Sequence, residues 1–213
     1  MRFLYFYIWP LFNILYDKIF NWGVTDTKLI ENKPKVIRNF ISASNAGGVL
    51  LFSGAYFLTN HRFFYNISIM IPYTYYIWDT MYILINDKKN ELGYIYHHFV
   101  ALLLLNQLEK KSDLRQLAYA GLITAELSNI TTYIVYHYSK KLDKDSKESR
   151  DNLLFWKKCQ LFWFGILRIP VFGVFLYKTY YKVSTPYFIQ YSLLYIIGIY
   201  WFTKQYKSFM SIK

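Results

Sequence analysis

Long apolar runs that alternate with short basic connections constrain this chain more than any other feature. Seven runs are long enough to form membrane helices, which need about 20 mainly apolar residues to cross the hydrocarbon core of a bilayer. They cover residues 3–20, 40–59, 64–86, 93–108, 114–138, 156–181 and 186–206, and the fourth is the shortest. The pattern predicts an all-α fold, a polytopic helical bundle with about seven transmembrane helices.

Composition and charge favour membrane lipids over nucleic acid as partners. Of the 213 residues, 54% are hydrophobic and 22% aromatic, whereas soluble domains contain roughly 45–50% apolar residues. The net charge is +12, but the lysines and arginines lie mainly in loops between the apolar runs, of which the Lys-rich segments 21–39 and 139–155 are the longest. A nucleic-acid-binding protein gathers such residues into one patch or stripe. We therefore predict a protein that is integral to the membrane and does not bind nucleic acid.

The loop charges also predict an orientation. The loops are assigned alternately to the two sides of the membrane. One side then holds more than twice as many Lys and Arg residues as the other, including Lys35 and Arg38 in the loop before the second run and Lys204 at the cytosolic end of the last helix. Basic loops remain in the cytosol according to the positive-inside rule. The sequence therefore predicts an N-terminus that is lumenal or outside and a C-terminus that is cytosolic.

Polar side chains inside the apolar runs are the candidate functional residues. They are Asn45, Asp79, His97, His98, Glu126, Asn129 and Arg168. A charge at the centre of a bilayer costs at least about 2.5–3.5 kcal/mol, so such groups face the interior of the bundle or a wet cavity. In the predicted topology all of them lie in the middle or the cytosolic half of five helices. Two interpretations remain open: a functional site, or a buried polar network that fixes the helix register.

The spacing of the candidate ligands does not favour a metal site. His97 and His98 are adjacent and project about 100° apart on a helix, so both enter one cavity only at its edges. The sequence has neither an HxxxH motif nor a Cys partner for them, because Cys159 is the only cysteine. We therefore predict that no metal is bound. A single cysteine also excludes an intramolecular disulfide.

Four short motifs, taken in chain order, resemble the TLC domain, which is named for the TRAM, LAG and CLN8 proteins. They are YYIWD at 75–79, YHHF at 96–99, ELSN at 126–129 and RIP at 168–170. The resemblance covers residues 38–206 and implies six to eight helices that enclose a lipid-accessible cavity, usually in the endoplasmic reticulum. It leaves residues 1–37 as a first transmembrane helix with a basic loop, and 207–213 as a short cytosolic tail.

The resemblance also implies roles for individual residues. The best understood relatives, the ceramide synthases, join an acyl chain from acyl-CoA to a sphingoid base with a histidine pair and an acidic Asp-x-Ser-Asp motif. By position, His97 and His98 match the pair, and Glu126 matches the first acid of that motif. These three are the implied catalytic residues. The implied lipid-binding residues are Asn45, Asp79, Ser128, Asn129 and Arg168.

Departures from the synthase pattern bring the chain closer to the TLC-domain-containing proteins, which are linked to lipid homeostasis. Ala101 and Ala125 stand where the synthases have Thr and His, and Asn45 stands where many relatives have His. Two hypotheses follow. The first is a protein that binds lipid and regulates membrane lipid composition without catalysis. The alternative is a lipid N- or O-acyltransferase with acyl-CoA as its co-substrate and no other cofactor.

Overall fold

The computed structural model describes the backbone of residues 5–86, 92–108, 112–143 and 146–212, and their side chains except 107–108 and 112–115. Residues 3–4 of the first predicted run and the last residue of the predicted tail lie outside these ranges. Within them every regular element is helical, which confirms the all-α prediction. The helices are α1 (Ile8–Gly23), α2 (Thr27–Glu31), α3 (Lys33–Thr59), α4 (Arg62–Asn86), α5 (Leu92–Leu108), α6 (Ser112–Lys141), α7 (Lys147–Ile166), a π-helical turn (Leu167–Val171), α8 (Phe172–Tyr180) and α9 (Thr185–Met210).

Six of these helices form a closed ring. Around the ring, α3 packs against α4, α4 against α5, α5 against α9, α9 against α7, α7 against α6, and α6 against α3. Helix α1 packs on the outside against α3, and its buried Trp9 donates a hydrogen bond from Nε1 to Thr74 Oγ1 of α4 at 3.0 Å. The π-helical turn and α8 continue α7 along α9. The ring leaves a space along its axis, and the candidate site lies there.

A tight connection joins α3 and α4, which both carry candidate residues, and sets the two helices side by side. Asn60 follows α3 in the left-handed region at φ 51°, and its backbone N–H bonds to the carbonyl of Tyr56. Asparagine is one of the few residues other than glycine that adopts this conformation readily. The chain reverses there and enters α4 at Arg62. The first turns of α3 therefore lie beside the last turns of α4.

Two helical stretches in the described part of the chain are long and apolar enough to cross a membrane. They are Lys33–Thr59 and the continuous stretch Lys147–Tyr180, with mean hydropathies of 1.3 and 1.7 over their most apolar windows. A shorter apolar helix covers Leu92–Asn106. Helix α4 has 25 residues, but its tyrosines, Asn66 and Asp79 lower its hydropathy. Seven membrane spans therefore stay a prediction.

The helices extend beyond the apolar runs that predicted them. The Lys-rich segments 21–39 and 139–155 were expected to be loops, but they contain α2 and the first turns of α3 and α7. Polar caps start two of these helices: Asp26 accepts hydrogen bonds from the N–H groups of Lys28 and Leu29, and Ser146 accepts one from Ser149. Hydropathy marks the apolar middle of a helix, whereas capping residues mark its ends.

Candidate functional site

A cavity of about 280 Å³ lies inside the ring, and all six ring helices contribute side chains to it. Six of the residues singled out from the sequence line this cavity: Asn45, Asp79, His97, His98, Glu126 and Asn129. The other two, Ser128 and Arg168, lie behind its wall. Residues of four helices that the sequence predicted at overlapping depths therefore line one cavity.

The cavity has an exposed end and a buried end. At the exposed end, called the mouth, Lys35, Tyr136 and Lys204 line the cavity, and both lysines are exposed. At the buried end, called the floor, the lining residues include Asn45 and Glu126, each 1% exposed. Ten helical residues separate Lys35 from Asn45, which corresponds to about 15 Å along the axis of α3.

Asp79 is held in a buried ion pair with Arg38. The Arg38 guanidinium donates from Nε to Oδ1 at 2.7 Å and from Nη2 to Oδ2 at 2.9 Å. The carboxylate is 1% exposed, the Arg38 side chain is 18% exposed, and the guanidinium lies 5.6 Å from the centre of the Tyr94 ring. The two-point geometry fixes both side chains. Arg38 is thus the cationic partner of Asp79, although the sequence analysis assigned Arg38 to a loop.

His98 is enclosed by protein groups. Its Nδ1 lies 3.2 Å from Thr80 Oγ1, and its Nε2 lies 3.7 Å from Asp79 Oδ2. The imidazole stacks on Tyr76 with ring centres 5.0 Å apart. His98 is 4% exposed. Both nitrogens therefore face side chains of α4, and His98 forms part of the cavity wall.

His97 has a different environment from its neighbour. Its buried Nδ1 has no hydrogen-bond partner, although the residue lines the cavity. The edge of its ring meets Trp201 of α9 with centres 4.9 Å apart. Since consecutive residues of a helix project about 100° apart, His98 faces α4 while His97 faces α9. Of the two histidines, His97 is the one that lines the cavity with a buried ring nitrogen that has no hydrogen-bond partner.

Glu126 lies at the floor with one oxygen bonded and the other unpaired. Its Oε1 accepts hydrogen bonds from Tyr76 OH at 2.9 Å and from Asn45 Nδ2 at 3.3 Å. Glu126 Oε2 and Asn45 Oδ1 are buried without a hydrogen-bond partner. Because buried polar atoms in proteins are nearly always paired, these two acceptors point to a group that donates hydrogen bonds to them.

Arg168 supports the floor from behind. The π-helical turn that carries it contains Pro170, which has no N–H for a regular helical bond. Arg168 donates from Nε to Ser128 Oγ at 2.7 Å, and from Nη2 to the carbonyl of Ala125 at 3.2 Å and Asn129 Oδ1 at 3.3 Å. These bonds join the π-helical turn to α6 and use the polar atoms of Ser128. The arginine thereby holds the strip of α6 that presents Glu126.

Several lining residues were missed by the sequence analysis. Arg38 precedes its apolar run, and Lys204 was treated only as the cytosolic end of the last helix. Tyr76 belongs to the YYIWD motif but was given no role of its own. Trp201 is an aromatic residue in an aromatic-rich helix, so nothing in the sequence distinguished it from residues that face outward. A general rule would have pointed to Arg38, because a buried carboxylate such as Asp79 needs a cationic partner within reach.

Comparisons with known proteins found no relative: no family model, no curated protein and no solved structure matches the chain. The resemblance to the TLC domain therefore rests on the four motifs alone and stays a prediction. Among the residues that the structure describes, no group of three or more His, Cys, Asp and Glu side chains is arranged to hold a metal ion.

Proposed function

We propose that this chain is a multi-pass membrane protein of the TLC type that binds a lipid in the cavity of its helix ring. Support comes first from the two stretches that are long and apolar enough to span a membrane, because they include the ring helices α3 and α7. The ring helices pack side by side around one cavity, so they lie at the same depth in the membrane. The ring therefore crosses the bilayer as a unit. Large apolar side chains point outward, among them Leu51 at 68%, Phe162 at 68% and Ile196 at 58% exposed.

The observation that carries the proposal is the set of unpaired polar atoms at the cavity. Among the described residues that line the cavity, four have a buried polar atom without a partner: Asn45 Oδ1, His97 Nδ1, Glu126 Oε2 and Gln205 Oε1. Each such atom costs about 1–3 kcal/mol unless something bonds to it. Three of the four are carboxylate or amide oxygens, which only accept. A lipid whose head group carries hydroxyl, amine or amide hydrogens satisfies them.

The size of the cavity suits a lipid head group. Its volume of about 280 Å³ is close to the lower end of ligand pockets, roughly 300–1,000 Å³. Aromatic side chains form much of the wall, including Tyr75, Tyr76, Tyr133, Phe164 and Trp201. An aromatic wall with a few polar atoms is typical of a site that binds an amphipathic molecule.

The test is a titration of the purified full chain in detergent micelles with monooleoylglycerol, a neutral lipid with two hydroxyl donors. Native mass spectrometry reads the bound lipid. Glu126→Gln keeps the size of the side chain but removes its charge, and we expect the affinity to fall at least about tenfold. The matched control is Glu148→Gln, which changes an exposed glutamate at the start of α7.

The control is expected to bind as the original chain does. The proposal is refuted if monooleoylglycerol does not bind, or if both variants bind it as well as the original chain. A thermal unfolding curve of each variant shows whether a loss of binding reflects unfolding.

A second candidate function, acyl transfer from acyl-CoA, is favoured by the unpaired Nδ1 of His97, a residue that lines the cavity. In that reaction the hydroxyl or amine of the acceptor attacks the thioester carbonyl and its proton passes to His97. The C–S bond breaks, and the departing thiolate takes the proton from His97. The products are an ester or amide and free CoA thiol. Histidine suits this step because its ordinary pKa lies near neutrality.

Release of free thiol, measured with a thiol reagent, tests the second candidate. The purified chain is mixed with oleoyl-CoA and monooleoylglycerol, and we expect His97→Ala to abolish the release if the reaction occurs. Thiol release that is equal in the original chain and in His97→Ala would remove the histidine from the reaction. The absence of any release above buffer would leave lipid binding as the function.

A further inference from the structure

Two of the unpaired acceptors belong to side chains that contact each other at the floor of the cavity. They are Oδ1 of Asn45 and Oε2 of Glu126, which are both buried without a hydrogen-bond partner. The contact between the two side chains is a hydrogen bond of 3.3 Å from Asn45 Nδ2 to Glu126 Oε1. Each group thus uses one polar atom on the other and leaves its second oxygen for a bound molecule.

The polar groups already present at the floor determine what kind of molecule fits. Tyr76 OH donates to Glu126 Oε1 at 2.9 Å, so it shares that oxygen with the amide of Asn45. The two remaining atoms are oxygens that need donors. An amide or ester placed against them would bring a carbonyl that requires a donor of its own, whereas a hydroxyl is satisfied once it donates its single hydrogen. Two hydroxyls therefore fit the two unpaired oxygens.

The charges around the floor favour a ligand without a net charge. Of the described residues that line the cavity, Asp79 and Glu126 are acidic, and Asp79 is paired with Arg38. Behind Glu126, Arg168 is 3% exposed and donates from Nη2 to the carbonyl of Ala125, the preceding residue, at 3.2 Å. Each acid therefore has a cation nearby. An ammonium group or a carboxylate on the ligand would add a buried charge without a counterpart, which is costly.

We propose that the floor binds an uncharged 1,2-diol, the free end of a glycerolipid that carries a single chain. One hydroxyl donates to Glu126 Oε2 and the hydroxyl on the adjacent carbon donates to Asn45 Oδ1. Hydroxyls on adjacent carbons suit two acceptors whose side chains contact each other. The inference rests on the proposed function, because it assumes that a lipid enters the cavity, and it reduces the possible head groups to one chemical class.

The experiment compares three ether lipids with the same oleyl chain, titrated into the purified full chain in detergent micelles and read by native mass spectrometry. The first, 1-O-oleylglycerol, has the diol. The second, 3-oleyloxypropan-1-ol, lacks the middle hydroxyl, and we expect it to bind about tenfold more weakly because a buried acceptor loses its donor. The third, 1-amino-3-oleyloxypropan-2-ol, has an ammonium group in place of the terminal hydroxyl. We expect it to bind at least about tenfold more weakly than the diol.

Asn45→Leu removes one of the two acceptors and keeps an apolar side chain of similar size. A single hydroxyl then satisfies the remaining oxygen of Glu126, so we expect the preference for the diol over 3-oleyloxypropan-1-ol to fall from tenfold to about twofold. Asn13→Leu is the matched control, because Asn13 is on α1 outside the ring and does not line the cavity. It is expected to keep the tenfold preference.

The inference is overturned if 3-oleyloxypropan-1-ol or the ammonium lipid binds the original chain as well as the diol does, or if Asn45→Leu keeps the full preference. The lipid comparison uses the original chain, so it decides the matter even if Asn45→Leu does not fold. Binding of monooleoylglycerol without a preference for the diol leaves the proposed function intact, whereas binding of none of the lipids removes both.

Competition with free glycerol identifies the source of the diol. If glycerol at the concentration of the lipid leaves 1-O-oleylglycerol bound, the diol belongs to a lipid. If glycerol displaces it, the floor is a site for free polyols and the lipid part of the inference is wrong.

Discussion

Removal of Arg38 tests the buried ion pair that the structure adds to the candidate site. Arg38→Met keeps an unbranched apolar side chain but removes both hydrogen bonds to Asp79, which are 2.7 and 2.9 Å long. The carboxylate that remains is 1% exposed and has lost its cation. Breaking a buried pair on one side costs about 3–5 kcal/mol, because the remaining charge is uncompensated. We expect Arg38→Met to destabilise the chain by this amount.

The second variant of this test replaces both partners. Arg38→Met combined with Asp79→Leu removes the charge together with its partner, and apolar replacements of a buried pair are often neutral. We therefore expect the double variant to be more stable than Arg38→Met alone. The difference between the double variant and the sum of the single variants gives the coupling energy of the pair.

The assay is unfolding of the purified chain in mixed micelles by increasing amounts of a denaturing detergent, followed by circular dichroism. Lys158→Met is the control, since it removes an exposed cation from another helix of the ring, α7. We expect this change to alter stability by no more than about 0.5 kcal/mol. If Arg38→Met and Lys158→Met have equal effects, or if the double variant is the least stable, the reasoning about the buried pair is wrong.

Two further predictions concern the packing behind the cavity. A Cβ added at Gly165 would lie 2.9 Å from Cε2 of Phe202, whereas one added at Gly54 would meet nothing within 4 Å. We expect Gly165→Ala to lower the free energy of unfolding by about 1 kcal/mol, because overpacking exceeds the gain in helix propensity. We expect Gly54→Ala to raise it by up to about 1 kcal/mol in the same assay. Equal effects of the two alanines would contradict this. Arg168→Lys keeps the charge but loses the planar guanidinium that bonds to Ser128 and two other groups. We expect the free energy of unfolding to fall by about 2 kcal/mol. A melting temperature within error of the original chain would count against this.

The sequence predicted which residues share a depth, because each helical residue advances the chain by about 1.5 Å. Asn45 and Glu126 were expected at overlapping depths, and in the structure the amide of one donates to the carboxylate of the other. The rotation of each helix could not be predicted in the same way. Ser128 is two residues from Glu126 and therefore faces away from it, toward Arg168. Rotation depends on how neighbouring helices pack, and hydropathy does not contain that information.

Helix ends were the second limit of the sequence analysis. The apolar run of α3 starts at residue 40, but the helix starts at Lys33. The intervening residues include Lys35 and Arg38, which were assigned to a basic loop and so were not considered as partners of Asp79. A hydropathy pattern assigns the polar first turn of a membrane helix to a loop. Such a turn can still be helical, because basic side chains are stable at the level of the head groups. The cations of the mouth were missed for this reason.

The histidine pair shows why contacts decide a role that a motif leaves open. As a motif, His97 and His98 are equivalent, and the resemblance to the ceramide synthases implies catalysis for both. In the structure His98 has Thr80 and Asp79 beside its two nitrogens, so a change there disturbs the wall of the cavity in either function. His97 has a buried nitrogen without a partner, so it is free to bond to a ligand or to take its proton. Of the two histidines, we therefore expect His97 to separate the two proposed functions, since its loss is predicted to weaken lipid binding in one and to abolish thiol release in the other.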